Sequence, residues 1–82
     1  MSERLMMEGK LLQLEREAKA LRYRMEGMCS LIRGLLNSAL ELVEEMEIPV
    51  ASAHMRDLEL AFLQYQILDS KIIHLKKELG RG

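Results

Sequence analysis

Residues 7–46, MEGKLLQLEREAKALRYRMEGMCSLIRGLLNSALELVEEM, decide the fold. Alternate steps of four and three residues from Met7 reach Leu11, Leu14, Ala18, Leu21, Met25, Met28, Ile32, Leu35, Ala39, Leu42 and Met46, all of them apolar. Such an unbroken rhythm, averaging about 3.5 residues, marks a helix whose seam faces another helix. Ser2 offers an N-cap and no proline precedes Pro49, so one helix is predicted over about residues 3–46. At about 1.5 Å per residue it would be a rod roughly 60 Å long.

Gly27 and Gly34 are the weak points of that rod. Each costs about 1 kcal/mol relative to alanine inside a helix. A break there would give three helices, but the apolar register passes both glycines unchanged. If the helix is continuous, the two either mark a face that another backbone can approach closely or are tolerated local weaknesses.

Glu47-Ile48-Pro49-Val50 reads as the turn, over about residues 47–51, because Pro49 disfavours helical geometry at Ile48. A second helix is predicted over about 52–79. Its seam is Ala51, His54, Leu58, Ala61, Tyr65, Leu68, Ile72, Leu75 and Leu79, and Gly80 stops it. Lys76 and Lys77 suit the negative end of its dipole, and residues 81–82 are a frayed tail. So short a turn folds the second helix back along the first, which makes residues 1–82 one all-α antiparallel hairpin of coiled-coil-like helices.

Two features of this hairpin call for a further partner. The second arm is the shorter and should reach back only to about Ala18, which leaves Leu11 and Leu14 as an overhang. Near the turn the apolar stripe is also wider than a seam. Cys29, Leu36 and Val43 flank the first seam, Met55 and Phe62 the second, and Leu31, Leu40, Leu60, Leu63 and Ile67 widen it further. A lone helix pair cannot cover so broad an arc. The simplest remedy is a second copy about a two-fold axis, giving a dimeric four-helix bundle. The expected interface combines Leu11 and Leu14 with the seam residues Leu21, Met28, Ile32, Leu35, Leu42, Leu58, Tyr65, Leu68 and Ile72. Leu36, Val43, Met55 and Phe62 flank it.

Composition bounds the alternatives. The chain has 82 residues, 49% of them hydrophobic and only 4% aromatic, with a net charge of -1, so it has no global field to draw in nucleic acid or an anionic membrane. No stretch approaches the roughly 18 apolar residues of a membrane span. The lone Cys29 cannot pair within the chain, and Glu3 and Arg4 interrupt the place of a signal-peptide core, so the cytoplasm is the expected compartment.

Strong catalytic or metal-binding spacings are missing, so no catalytic residue, metal or cofactor is assigned. His54 and His74 stand near opposite ends of one helix and cannot share an ion within one chain. His54 reads as a packed seam residue and His74 as a solvated one. Cys29 reads as a small interface hydrophobe, or as a contact between subunits if a symmetry axis passes there. Small all-α enzymes that bind a dianion, such as chorismate mutases, need cations facing into the bundle. Every seam position of the first helix is apolar, so an enzyme is not expected.

Charge is polarised along the hairpin. Glu41, Glu44, Glu45, Glu47, Asp57 and Glu59 crowd the turn end, where Arg56 is the sole cation between residues 35 and 59. Folding brings Arg16, Lys19, Arg22 and Arg24 near Lys71, Lys76 and Lys77 at the open end, a possible anion contact and the basis of an alternative reading as a nucleic-acid-binding accessory protein. Glu15, Glu17, Glu26, Asp69 and Glu78 interleave with these cations, as on an ordinary solvated helix surface.

The succession EGKLLQLEREAKALRYRMEGM, IPVASA and DLELAFLQYQILDSKIIHLKKELG resembles the small helical-hairpin proteins encoded in Mu-like prophages. The resemblance lies in rhythm over most of the chain and carries no functional residue across. It implies a phage accessory role. The expected function is that of a non-enzymatic, self-associating interaction module.

Overall fold

In the computed structural model, which describes residues 2–81, two helices pack as an antiparallel hairpin and no strand occurs among those residues. Helix α1 spans Glu3–Leu35 (33 residues) and helix α2 spans Ile48–Glu78 (31 residues). Residues 36–47 join them, with one 3-10 turn at Val43–Glu45. The molecule measures 61 × 20 × 16 Å.

Local chemistry sets the helix ends. The Ser2 hydroxyl accepts from the Arg4 N–H, a side-chain cap for α1. At the other end of α1 the expected continuation to Met46 does not occur. Asn37 takes over the backbone: its side-chain oxygen accepts from the Ala39 N–H at 3.1 Å, and its carbonyl accepts from the Leu40 and Glu41 N–H groups at 3.1 and 3.2 Å. Asparagine and serine compete in this way with helical bonds. Gly34 just upstream weakens the last turn that could resist.

Helix α2 starts at Ile48, earlier than expected, with Pro49 in its first turn, where a missing N–H costs nothing. It closes on Gly80, whose φ is +73°. The Gly80 N–H donates to the Lys77 carbonyl and the Arg81 N–H to the Lys76 carbonyl, a paired closure that needs a left-handed residue at position 80. Arg81 is therefore fixed rather than frayed, and residue 82 lies outside the described residues.

Early termination of α1 makes the arms nearly equal, and this removes the predicted overhang. Leu11 and Leu14, expected to await an outside partner, are buried with Ala18, Ile72 and Leu79 in the main core, against which Met7, Tyr65, Leu68 and Leu75 pack. Leu11 is 1% exposed. Within α1 every seam position from Met7 to Leu35 is buried or half-buried, and so is every seam position from Ala51 to Leu79. The rhythm holds through both helices and fails only in the linker, where Ala39 and Leu42 are exposed.

A polar clasp locks the open end. Arg4 Nη2 donates to the Leu79 carbonyl at 3.2 Å, Arg81 Nη2 donates to Glu8 Oε1 at 3.2 Å, and Arg4 Nε lies 3.7 Å from the same carboxylate. It ties the first turns of α1 to the cap of α2.

Gly9, Gly27 and Gly34 have open space where a Cβ would stand, so α2 approaches none of them and α1 runs through Gly27 unbroken. We expect Gly27→Ala to stabilise the hairpin by about 0.5–1 kcal/mol, raising the melting temperature by several degrees in thermal circular dichroism. Leu11→Ala should instead cost about 2–5 kcal/mol. It would be nearly silent if Leu11 belonged to a solvated overhang.

Candidate interaction surface

The two halves of the hairpin are sealed unequally. Toward the open end large aliphatic side chains meet across the seam and are buried. Toward the turn the buried seam residues are Ala51 and Ala61, while Leu21, Met25, Met28, Ile32, Leu35 and Leu58 are only half-covered. Alanine contributes little side-chain volume to a seam, and in this half a hollow remains between the helices.

That hollow is a groove of about 590 Å³. Met25, Cys29, Met55, Leu58 and Phe62 line it, and Arg22, Glu26, Ser30, Arg33 and Glu59 rim it. A smaller hollow bounded by Ile32, Leu36, Ile48, Ala51, Ser52 and Met55 continues it toward the turn. On the same side but nearer the open end the surface turns polar, with Glu15, Lys19, Arg22, Asp69 and Lys76 around a third hollow. Along one face, then, the molecule is apolar near the turn and charged near the open end.

Beyond the groove the linker exposes Leu36, Leu40, Leu42 and Val43, with Leu40 80% exposed. Its carboxylates Glu41, Glu44, Glu45 and Glu47 are solvated, and none forms an ion pair among the described residues. The outward face of α2 carries a second apolar stripe, Leu60, Leu63 and Ile67, within a run from Leu60 to Leu68 that holds no charged side chain.

The structure redistributes the interface residues expected from sequence. Leu11, Leu14 and Ile72 are consumed inside the chain. Met28, Ile32, Leu35, Leu58, Tyr65 and Leu68 are shared between the seam and the surface, and Leu36, Leu42, Val43, Met55 and Phe62 are exposed. Among the expected anion contacts, Lys19, Arg22 and Lys76 come together, whereas Lys71 lies beside Lys10 and His74 on another side. Arg16, Arg24 and Lys77 are exposed and line neither hollow.

The cations that gather are already engaged. Lys76 Nζ lies 3.8 Å from Glu15 Oε2, Arg22 Nε lies 3.7 Å from Glu26 Oε1, and Lys19 Nζ stands 6.0 Å from the centre of the Tyr23 ring. His54 is half-buried on the seam, and His74 is exposed 3.6 Å from Glu78. Among the described residues, no three histidine, cysteine or acidic side chains are placed to hold a metal ion, and no helix is long and apolar enough to cross a membrane. The open-end clasp escaped the sequence reading, since its only trace there is the Arg4 to Glu8 spacing of one helical turn.

The chain matches no protein-family model, and neither a curated protein nor a solved structure shows significant similarity to it. The surface itself therefore carries the functional reading.

Phosphate binding needs uncompensated cations, and here carboxylates sit among them. Fluorescence anisotropy of labelled duplex and single-stranded DNA at low salt should stay flat up to protein concentrations of tens of micromolar. A saturable rise that weakens with salt would restore the nucleic-acid reading.

Proposed function

We propose that this protein is a non-enzymatic interaction module, a helical hairpin that self-associates through the incompletely sealed face of its turn half. Exposed area carries this reading. A compact protein of 9.5 kDa exposes about 5,000 Å². The hairpin exposes 6415 Å², roughly 1,400 Å² more. Ordinary stable interfaces bury about 800 Å² per partner, so one association would remove roughly half of that excess.

The quality of the surface agrees with its quantity. Leu36, Met55 and Phe62 stand beside half-covered seam residues, so docking would complete a core already half-built. A helix apolar around most of its circumference belongs inside a bundle, and α2 between Leu60 and Leu68 has that character. The absence of strong catalytic spacings in the sequence and the engaged state of the gathered cations support a binding role. Resemblance to small helical-hairpin proteins of Mu-like prophages supports an accessory role in a phage, with the cytoplasm as its compartment.

Sedimentation equilibrium over a wide concentration range tests the proposal. The expected mass is a dimer or a higher multiple of the chain, and a monomer at the highest concentrations would overturn it. Phe62 is 51% exposed, so Phe62→Asp should abolish assembly while helicity is kept. Wild-type mass in that variant would exclude the groove face as the interface.

A further inference from the structure

We infer that the hairpin is a register switch: residues 36–42 join α1 as further helix, and α2 then slides along α1 by one heptad, about 10 Å. The apolar repeat outruns the helix that uses it. Nine seam positions of α2, from Ala51 to Leu79, pack along nine of α1, from Met7 to Leu35, yet the repeat continues in phase through Ala39 and Leu42. Both are exposed in this register. One heptad on, the nine positions from Leu14 to Leu42 meet α2 instead, and every one of them is apolar. A slide of one heptad keeps both seams in phase, whereas a slide of one or two residues turns them apart.

The linker suits either form. Leu36, Ala39, Leu40, Glu41 and Leu42 are strong helix formers, and none of residues 36–42 is buried. Asn37 alone holds them out of the helix, through its side chain and carbonyl on the N–H groups of Ala39, Leu40 and Glu41. The 3-10 turn at Val43–Glu45 lies beyond them and serves as the short connection in both registers. Only the open end keys the present register, through buried Leu11 and the clasp of Arg4, Glu8 and Arg81. In the turn half no hydrogen bond or ion pair crosses between α1 and α2 among the described residues. Glu15 stands one heptad after Glu8, so Arg81 meets a carboxylate in either register. Lys76, now 3.8 Å from Glu15, comes level with Arg22 after the slide. That repulsion and the uncovering of Met7 and Leu11 make the present register the major one. The slide trades open apolar surface at the turn, around Leu42, for open apolar surface at the far end, around Leu11. A partner that covers one end therefore selects a register.

Spin labels read the register by double electron–electron resonance in a Cys29→Ser chain, diluted into unlabelled protein so that only distances within one chain count. One pair is Lys10→Cys with Arg56→Cys and the other Ser30→Cys with Lys77→Cys, all at exposed positions far apart along the rod. Asn37→Ala with Glu8→Ala should populate a second state in which the first distance grows and the second shrinks, each by about 10 Å. Helicity by circular dichroism should rise by about seven residues of the 82. The Ser38 N–H takes no part in the Asn37 turn, so Ser38→Pro keeps the linker and bars the helix. Added to the double variant, it should return both distances and the helicity to wild-type values. Wild-type distances in the double variant would overturn the switch, as would a gain of helicity without the opposed changes in distance. Should the double variant lose helicity by unfolding, Asn37→Ala alone decides, because it alters only an exposed linker residue. The same shifts in smaller measure are expected there, and unchanged distances would overturn the switch.

Discussion

Everything in this molecule depends on two apolar seams meeting face to face along roughly parallel axes. A helix pair has no other core: among the described residues there is no strand to close over it, and the sequence has only three aromatic residues, Tyr23, Phe62 and Tyr65, to add bulk. Burial therefore has to come from a line of side chains three or four residues apart, each making small gains that sum along the rod. The open half of the line is closed by Leu11, Leu14, Ile72 and Leu79, with the Arg4, Glu8 and Arg81 clasp across its mouth. In the turn half only Ala51 and Ala61 are buried, and the larger seam residues stay half-covered.

The seam was fully legible because its cause is long-range and repetitive. Each of the apolar positions from Met7 to Leu35 and from Ala51 to Leu79 reports the same constraint, so chance substitutions do not hide it. The end of α1 was not legible in the same way. The rhythm continues through Ala39, Leu42 and Met46, and nothing between Leu35 and Pro49 is a strong helix breaker. What stops the helix is a local contest at Asn37, where one side chain and one carbonyl capture the following N–H groups. Periodicity cannot see such a contest, because it depends on which of two comparable sets of hydrogen bonds forms.

One boundary error then propagated. Placing the end of the first helix about three helical turns too late, near Met46 instead of at Leu35, made the arms look unequal, and that assigned Leu11 and Leu14 to an outside partner when they form the heart of the core. The broad stripe near the turn was read correctly from Leu36, Met55 and Phe62, since the width of an apolar arc survives small changes in helix length. The candidate surface was thus visible in the sequence through composition around the helix, whereas its limits along the helix required the fold.

Charge is polarised along the same axis as the sealing. In the open half the seam is closed, so its surface needs only ordinary solvated pairs such as Glu15 with Lys76. At the turn the glutamates have no ion-pair partner among the described residues, and they stand beside exposed leucines. Like charges on a short linker repel one another and oppose collapse of those leucines onto any equally acidic surface. The same charges favour a cationic one. At the turn, then, exposed apolar area and like charge stand side by side, the first favouring burial and the second opposing it against any acidic surface.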